Sequence, residues 1–357
     1  MNNQNKFKDD LIPHSKPTLG VEESRAVSEV IESGYIAEGK IVNKFERAFA
    51  KFLGVEYAMS TNSGTAALHL ILQAMGVGPG DEVIIPSYVC SALLNAVNYV
   101  GATPILAEIN PDTHNLVAAD VKGRISDRSK AIVVPHLFGL AADLKPLLEL
   151  DVPVIEDCAQ SIGATYYQRP VGTIGAAALF SFYATKVITT GEGGMVVCNS
   201  GNIAAQIRDL KTYDKREDYK VRFNYKMTDI QAALGIVQLQ RLESIIRRRK
   251  AIAAEYNRAF NSCDLKLPPT DGDHIYYRYV LGLNMDSRPW IRELARRGIV
   301  CDRPIHFPLH RSLKLDGYPV TDKAWKQSLS IPIYPALTDE EIRRIIDSVT
   351  TCYNKFT

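Results

Sequence analysis

Residues 179–197, LFSFYATKVITTGEGGMVV, decide how the chain is read. A β-type run at 179–183 leads to a lone lysine, Lys186, then to a polar turn with Gly191, Gly193 and Gly194, and then to a second apolar run at 195–198. Two short strands therefore bracket one amine. Desolvating an ammonium disfavours its charged form, so a lysine between buried strands must be paired, neutralised or covalently used. Lys186 is thus a candidate for chemistry. An ordinary surface lysine on a loop is the competing reading, and only other residues decide between the two.

Working outward, the same strand grammar recurs on the N-terminal side. Strands are expected at 57–61, 82–86, 103–108, 131–135 and 152–156, separated by helical stretches at 66–76, 87–99 and 144–150. Two amphipathic helices, 21–33 and 41–52, precede them. Such alternation implies an α/β fold with a mostly parallel central sheet and helices on both faces. Ligands of such sheets lie beyond the carboxyl ends of the strands. Ser63, Tyr88, His136 and Asp157 all fall at or just past expected strand ends, which would gather them on one rim. Each could separately be a cap or a core polar group.

Residues 61–65, TNSGT, join a strand to a helix start, where free N–H groups and the helix dipole favour an anion. Ser63 and Thr65 add hydroxyl donors, although Ser and Thr here also serve as simple caps. Asp157 follows an apolar strand and asks for a strong donor, such as an arginine or a protonated ring nitrogen. An N-cap role would satisfy it equally. Gln160 stands three residues on.

A long helical pattern at 228–260, with room for a break, opens with Thr228 and Gln231 in capping-box spacing. Beyond Pro268-Pro269 come a strand at 275–283, a helix at 288–297, the loop HFPLH at 306–310 and a last helix from Thr338. Pro308 lies between His306 and His310 and excludes the regular helix of a zincin-like site. With 357 residues the chain exceeds what one core usually serves. We expect a large domain at 1–245, including an N-terminal arm, and a small α+β domain at 246–357.

Apolar residues make up 46% and charged residues 23%, with a net charge of +2, so neither disorder nor a nucleic-acid partner is indicated. The one basic cluster, at 247–250, reads as a solvated or interface face. Six scattered cysteines lack metal spacing and read as reduced thiols. The first ten residues are polar and lack a leader's apolar core, and no run is long enough to span a bilayer, so a cytoplasmic location is expected. Neither G-x-G-x-x-G after a strand nor a P-loop occurs.

An isolated amine, an acid after a strand, an anion-ready helix start and an aromatic at a neighbouring strand end meet the needs of pyridoxal phosphate (PLP). The sequence also resembles the DegT/StrS nucleotide-sugar aminotransferases, of PLP fold type I like aspartate aminotransferase. The resemblance spans nearly the whole chain, through TNSGTAALHL, GPGDEVIIPSY, HLFG, VIEDCAQSIGA, FSFYATKVITTGEGGMVV, NYKMTDIQAALG, HFPLH and SIPIYPALTDEEI. It implies that Lys186 forms the Schiff base and Asp157 pairs with the pyridinium nitrogen. Gln160 would bond near the 3-hydroxyl, Gly64, Thr65 and Ser181 would hold the phosphate, and Tyr88 would stack on the ring. Asn224 would reach the cofactor of the second subunit of a homodimer. His136, Tyr183, His306 and His310 are implied sugar or nucleotide contacts, with core roles left open for His136 and Tyr183.

Relatives often carry arginine where Lys226 stands, which puts a bidentate role there in doubt. The expected reaction moves an amino group from L-glutamate to a nucleotide-linked keto-sugar, with no metal and no membrane partner. The competing readings are amination of a cyclitol or other ketone, and a non-catalytic regulatory relative. Dehydratase relatives carry histidine in place of the lysine, so Lys186 argues against that branch.

Overall fold

The apolar runs pair into one seven-stranded sheet in a computed structural model that describes residues 11–270 and 272–356. The polar stretch 1–10, on which the leader reading rested, lies outside the described residues. Helices α1 (Val21–Ser33) and α2 (Lys40–Leu53) precede β1 (Tyr57–Thr61), α3 (Gly64–Ala74), β2 (Glu82–Pro86), α4 (Ser91–Tyr99) and β3 (Thr103–Ala107). Next come α5 (Ala118–Lys122), β4 (Ser129–Pro135), α6 (Lys145–Leu148), β5 (Val154–Asp157) and a small hairpin of β6 (Thr165–Tyr166) and β7 (Arg169–Pro170). Strands β8 (Ala177–Ser181) and β9 (Gly194–Cys198) lead to α7 (Gly201–Leu210) and α8 (Asp229–Phe260). The C-terminal part holds β10 (Tyr279–Gly282), α9 (Arg288–Arg296), α10 (Leu309–Ser312), α11 (Pro319–Gln327), β11 (Ser328–Ile331) and α12 (Asp339–Phe356).

The sheet order is β1-β9-β8-β5-β4-β2-β3, parallel from β8 to β3, with β9 antiparallel to both neighbours. A turn joins β8 to β9 where a parallel pair would need a crossover, which is why this one connection reverses direction. Because β9 opposes both β1 and β8, those two strands run the same way as the rest. The ends of β1, β8, β5, β4 and β2 therefore share one rim.

Alternation along the strands sends side chains into two layers. Val83 and Ile85 pack with α3, α4 and α7, whereas Ile84 joins Ile132, Val134 and Leu147 on the other face. Under β8, Phe49 of α2 meets Phe180 edge-on at 5.0 Å, and Phe45 lies 5.5 Å from Phe182. Each fully buried aromatic or aliphatic side chain stabilises the fold by about 1.5–3 kcal/mol.

Helix α8 is continuous, with Thr228 and Gln231 forming the expected capping box. Its Leu242 and Ile245 pack under the sheet, and its Ile252, Tyr256 and Phe260 pack with β10, β11, α9 and α12. The change of partner thus falls inside one helix. Ile12, from the N-terminal arm, bridges Ile299 and joins the C-terminal core.

Helix α4 starts at Ser91 rather than 87. The Ser87 N–H donates to the Ala107 carbonyl and its Oγ lies 2.7 Å from His310 Nδ1, which keeps this segment extended. The run at 275–283 is strand only from Tyr279, because the Ile275 and Arg278 N–H groups donate to the carbonyls of Gly139 and Phe138. Helices α7 and α11 were not singled out by pattern. The basic cluster also differs from a solvated face: Arg249 is buried, and its Nη1 donates to the carbonyls of Tyr276, Tyr277 and Ile333. Among the described residues, no helix is long and apolar enough to cross a membrane.

Candidate active site

Register assembles the rim. Thr61 and Ser181 both lie opposite Gly194, and Asp157 lies opposite Pro135 and Leu179. Ser63 caps α3, its Oγ accepting from the Ala66 N–H at 3.1 Å. Gly64 then approaches β8 so closely that an added Cβ would lie 2.9 Å from Ser181 Cβ. The free N–H groups of the α3 start and the Ser181 hydroxyl are thereby brought together, which is an anion cradle. Gly194 has a related purpose, since a Cβ there would lie 2.4 Å from the Ser63 carbonyl oxygen. Gly194 thus lets β9 pass the chain's own cradle.

Asp157 is buried at the end of β5, and its Oδ1 accepts from the Ala159 N–H at 2.9 Å. Burial raises its carboxyl above the usual range; the Ala159 N–H, Lys186 and His136 pull the other way without offsetting it. Gln160 turns its Oε1 to the Phe138 N–H at 2.8 Å, leaving its NH₂ to donate elsewhere. Lys186 is half-buried, its N–H donating to the Tyr183 carbonyl and its Nζ lying 5.3 Å from the centre of the Tyr277 ring.

Three expected contacts are corrected. Tyr88 is 0% exposed, stacked on His114 and met edge-on by Phe138, so neither face of its ring is open to a cofactor. His136 is likewise 0% exposed. Its Nε2 lies 3.0 Å from Glu156 Oε2 and its Nδ1 accepts from the Ala142 N–H, so both nitrogens are used within the core. Glu156 also accepts from the Gly172, Ile174 and Gly175 N–H groups. Cys158 is close enough to complete a potential metal set with His136 and Glu156, but these bonds already occupy both carboxylate oxygens. His310 is buried, with one nitrogen on Ser87 and the other 3.0 Å from Asp322 Oδ1. It ties α10 and α11 to the β2 end.

Tyr183 and His306 are exposed, as is Asn224, whose carbonyl accepts from Asn62 Nδ2 beside the cradle. Lys226 pairs with Asp214 at 2.8 Å. A cavity of about 450 Å³ opens between Phe138, His114 and the C-terminal part, with Arg278, Lys266 and Lys323 on its walls. None of the candidate site residues read from the sequence lines it. Tyr277, which faces the amine, was not singled out: HIYYRYV reads as a strand, and periodicity alone does not say which of its aromatics meets the rim.

A helix N-terminus against a serine, a buried acid and an amine, on the rim of this sheet, define the class of PLP enzymes of fold type I. The DegT/DnrJ/EryC1/StrS aminotransferase family model matches residues 17–350, and the chain belongs to that family. It is 38% identical over 353 residues to a GDP-perosamine synthase of Caulobacter vibrioides, covering 92% of this chain and 95% of that protein. A GDP-perosamine synthase of Vibrio cholerae is 31% identical over 365 residues, with 96% and 100% covered. A putative sugar aminotransferase of Streptococcus pneumoniae, solved in its PMP form, superposes with a TM-score of 0.91 at 28% identity, covering 97% of this chain and 98% of that one. Its PLP form has the same TM-score. The chain is therefore a PLP-dependent sugar aminotransferase.

Proposed function

We propose that the chain transfers an amino group from L-glutamate to the keto group of a nucleotide-linked sugar, with GDP-linked sugars the first class to test. One observation carries the site assignment: Asp157 and Ser181 end the paired strands β5 and β8 on one rim, where Gly64 closes on Ser181 and Lys186 follows five residues on. The GDP-perosamine relatives support a nucleotide-sugar acceptor.

When bound, the cofactor supplies an electron sink and carries the amino group between the two substrates. Gly64 and Thr65, at the start of α3, and Ser181 bind its phosphate. Asp157 holds a proton on the pyridine nitrogen, a cationic partner that offsets the cost of burying its carboxyl. Gln160, fixed through Phe138, donates its NH₂ to the 3-hydroxyl. Lys186 anchors the cofactor and, once displaced, moves a proton at Nζ. Tyr183 and His306, both exposed, are proposed substrate contacts. Asn224 is proposed to reach the second site of a homodimer.

Lys186→Ala should abolish both the Schiff-base absorbance band and turnover; a variant that kept wild-type rates would end this reading. The substrate is tested with glutamate and a panel of GDP-, UDP- and dTDP-linked 3-keto and 4-keto sugars. Turnover with a cyclitol ketone and with none of the panel would replace the nucleotide-sugar acceptor.

A further inference from the structure

Tyr277 has no part in the roles above, yet it is the aromatic that meets the amine. Lys186 Nζ lies 5.3 Å from its ring centre, inside the range where an ammonium is drawn to a ring face. Its hydroxyl is 3.4 Å from Thr185 Oγ1, on the residue just before Lys186. Arg278 donates to the same hydroxyl through Nη2 at 3.5 Å. The ring is buried with Phe180, Phe182 and Ile275, and Arg249 Nη1 bonds the Tyr277 carbonyl, so ring and backbone are both fixed.

We propose that Tyr277 is a positioning residue for Lys186, holding the amine against its ring at the end of β8 whenever the amine is not covalently engaged. The proposal rests on the assignment of Lys186 made above. Transamination frees that amine in each half-reaction, and a freed lysine with four rotatable bonds would otherwise lose side-chain order. The groups facing Tyr277 are Thr185 and Lys186 from the turn after β8, Arg278 beside it, and Arg249 from α8. Burial by itself raises the phenol; Lys186, Arg278, the Thr185 hydrogen bond and Arg249 outweigh it and bring the hydroxyl to about 8. Above that pH the ring becomes an anion and its hold on an ammonium strengthens.

The coupling is reciprocal, so it can be read from the tyrosine in the full-length chain freed of cofactor. The difference in absorbance at 295 nm between wild type and Tyr277→Phe isolates one phenol with a midpoint near pH 8. The same difference in a Lys186→Ala background should shift upward by about half to one pH unit. Cofactor recapture by Tyr277→Phe and Tyr277→Leu should be slowed, about threefold and tenfold at pH 8, with the final absorbance band and the KM for glutamate kept. An unshifted midpoint together with wild-type recapture rates would overturn the proposal. If Tyr277→Leu fails to fold by circular dichroism, the titration pair and Tyr277→Phe decide alone. A Lys186→Ala protein that keeps wild-type turnover would sink the functional reading, whereas an intact Lys186 dependence with no effect at Tyr277 sinks only this inference.

Discussion

Asp157 has a buried carboxyl whose neighbours only partly favour its charge. An acid raised by burial favours the folded state when protonated, so its contribution is present below the usual carboxylate range and is lost as pH rises through the raised value. At neutral pH the cofactor-free Asp157→Asn protein should therefore have a higher denaturation midpoint than wild type, read by urea titration. The holoenzyme should respond in the opposite sense. Asparagine cannot balance a protonated ring nitrogen, and kcat/KM should fall by about 10²–10³. Wild-type kcat/KM with an unchanged circular dichroism spectrum would remove Asp157 from the site. The candidate acid and amine were legible from residue type and position alone. Tyr277 was not, because its contact with Lys186 joins residues nearly a hundred positions apart.

At the scale of elements, the α3 start and the β8 end form a cradle only because one residue has no side chain. In Gly64→Ala the new Cβ would lie 2.9 Å from Ser181 Cβ and 3.3 Å from its Oγ. Separating the two elements should cost about 1–3 kcal/mol of stability and weaken cofactor binding, measured by thermal unfolding and by spectroscopic titration. Binding and stability both equal to wild type would count against the cradle. A second device shows how elements far apart in sequence complete each other. Helix α2 is preceded by Gly39 in the cap position, which offers no side-chain cap, and Asp229 at the start of α8 accepts from the Gly39, Ile41 and Val42 N–H groups in its place. Strand and helix identities were largely legible from periodicity. Their ends moved where a hydrogen-bond partner came from elsewhere, as with His310 at Ser87 and Gly139 at Ile275.

For the whole molecule, α8 is the member that both halves share, with Arg249 buried where the sheet layer gives way to the C-terminal core. The face formed by α1, α2 and the start of α8 leaves Tyr35 82% and Ile36 50% exposed. This apolar surface supports the homodimer proposed above. Tyr35→Asp should dissociate the dimer in sedimentation experiments and lower activity, while the circular dichroism spectrum stays unchanged. A variant that remains dimeric and fully active would place the interface elsewhere.

The sequence by itself determined the α/β class and the order of the alternating elements and marked candidate acid, amine and cradle residues, because period, capping and residue chemistry are local. It also marked Tyr88, His136 and His310 as strand-end or loop polar groups, and there locality was not enough. Whether such a group faces a ligand or a buried partner depends on what packs above it, and here His114, Glu156 and Asp322 are those partners. The same holds for the opening stretch. Its lysine was visible as an isolated amine, but its place beside the Tyr277 ring, on the rim that also holds Asp157, was decided by strand register and by the packing of residues 275–283 against that rim.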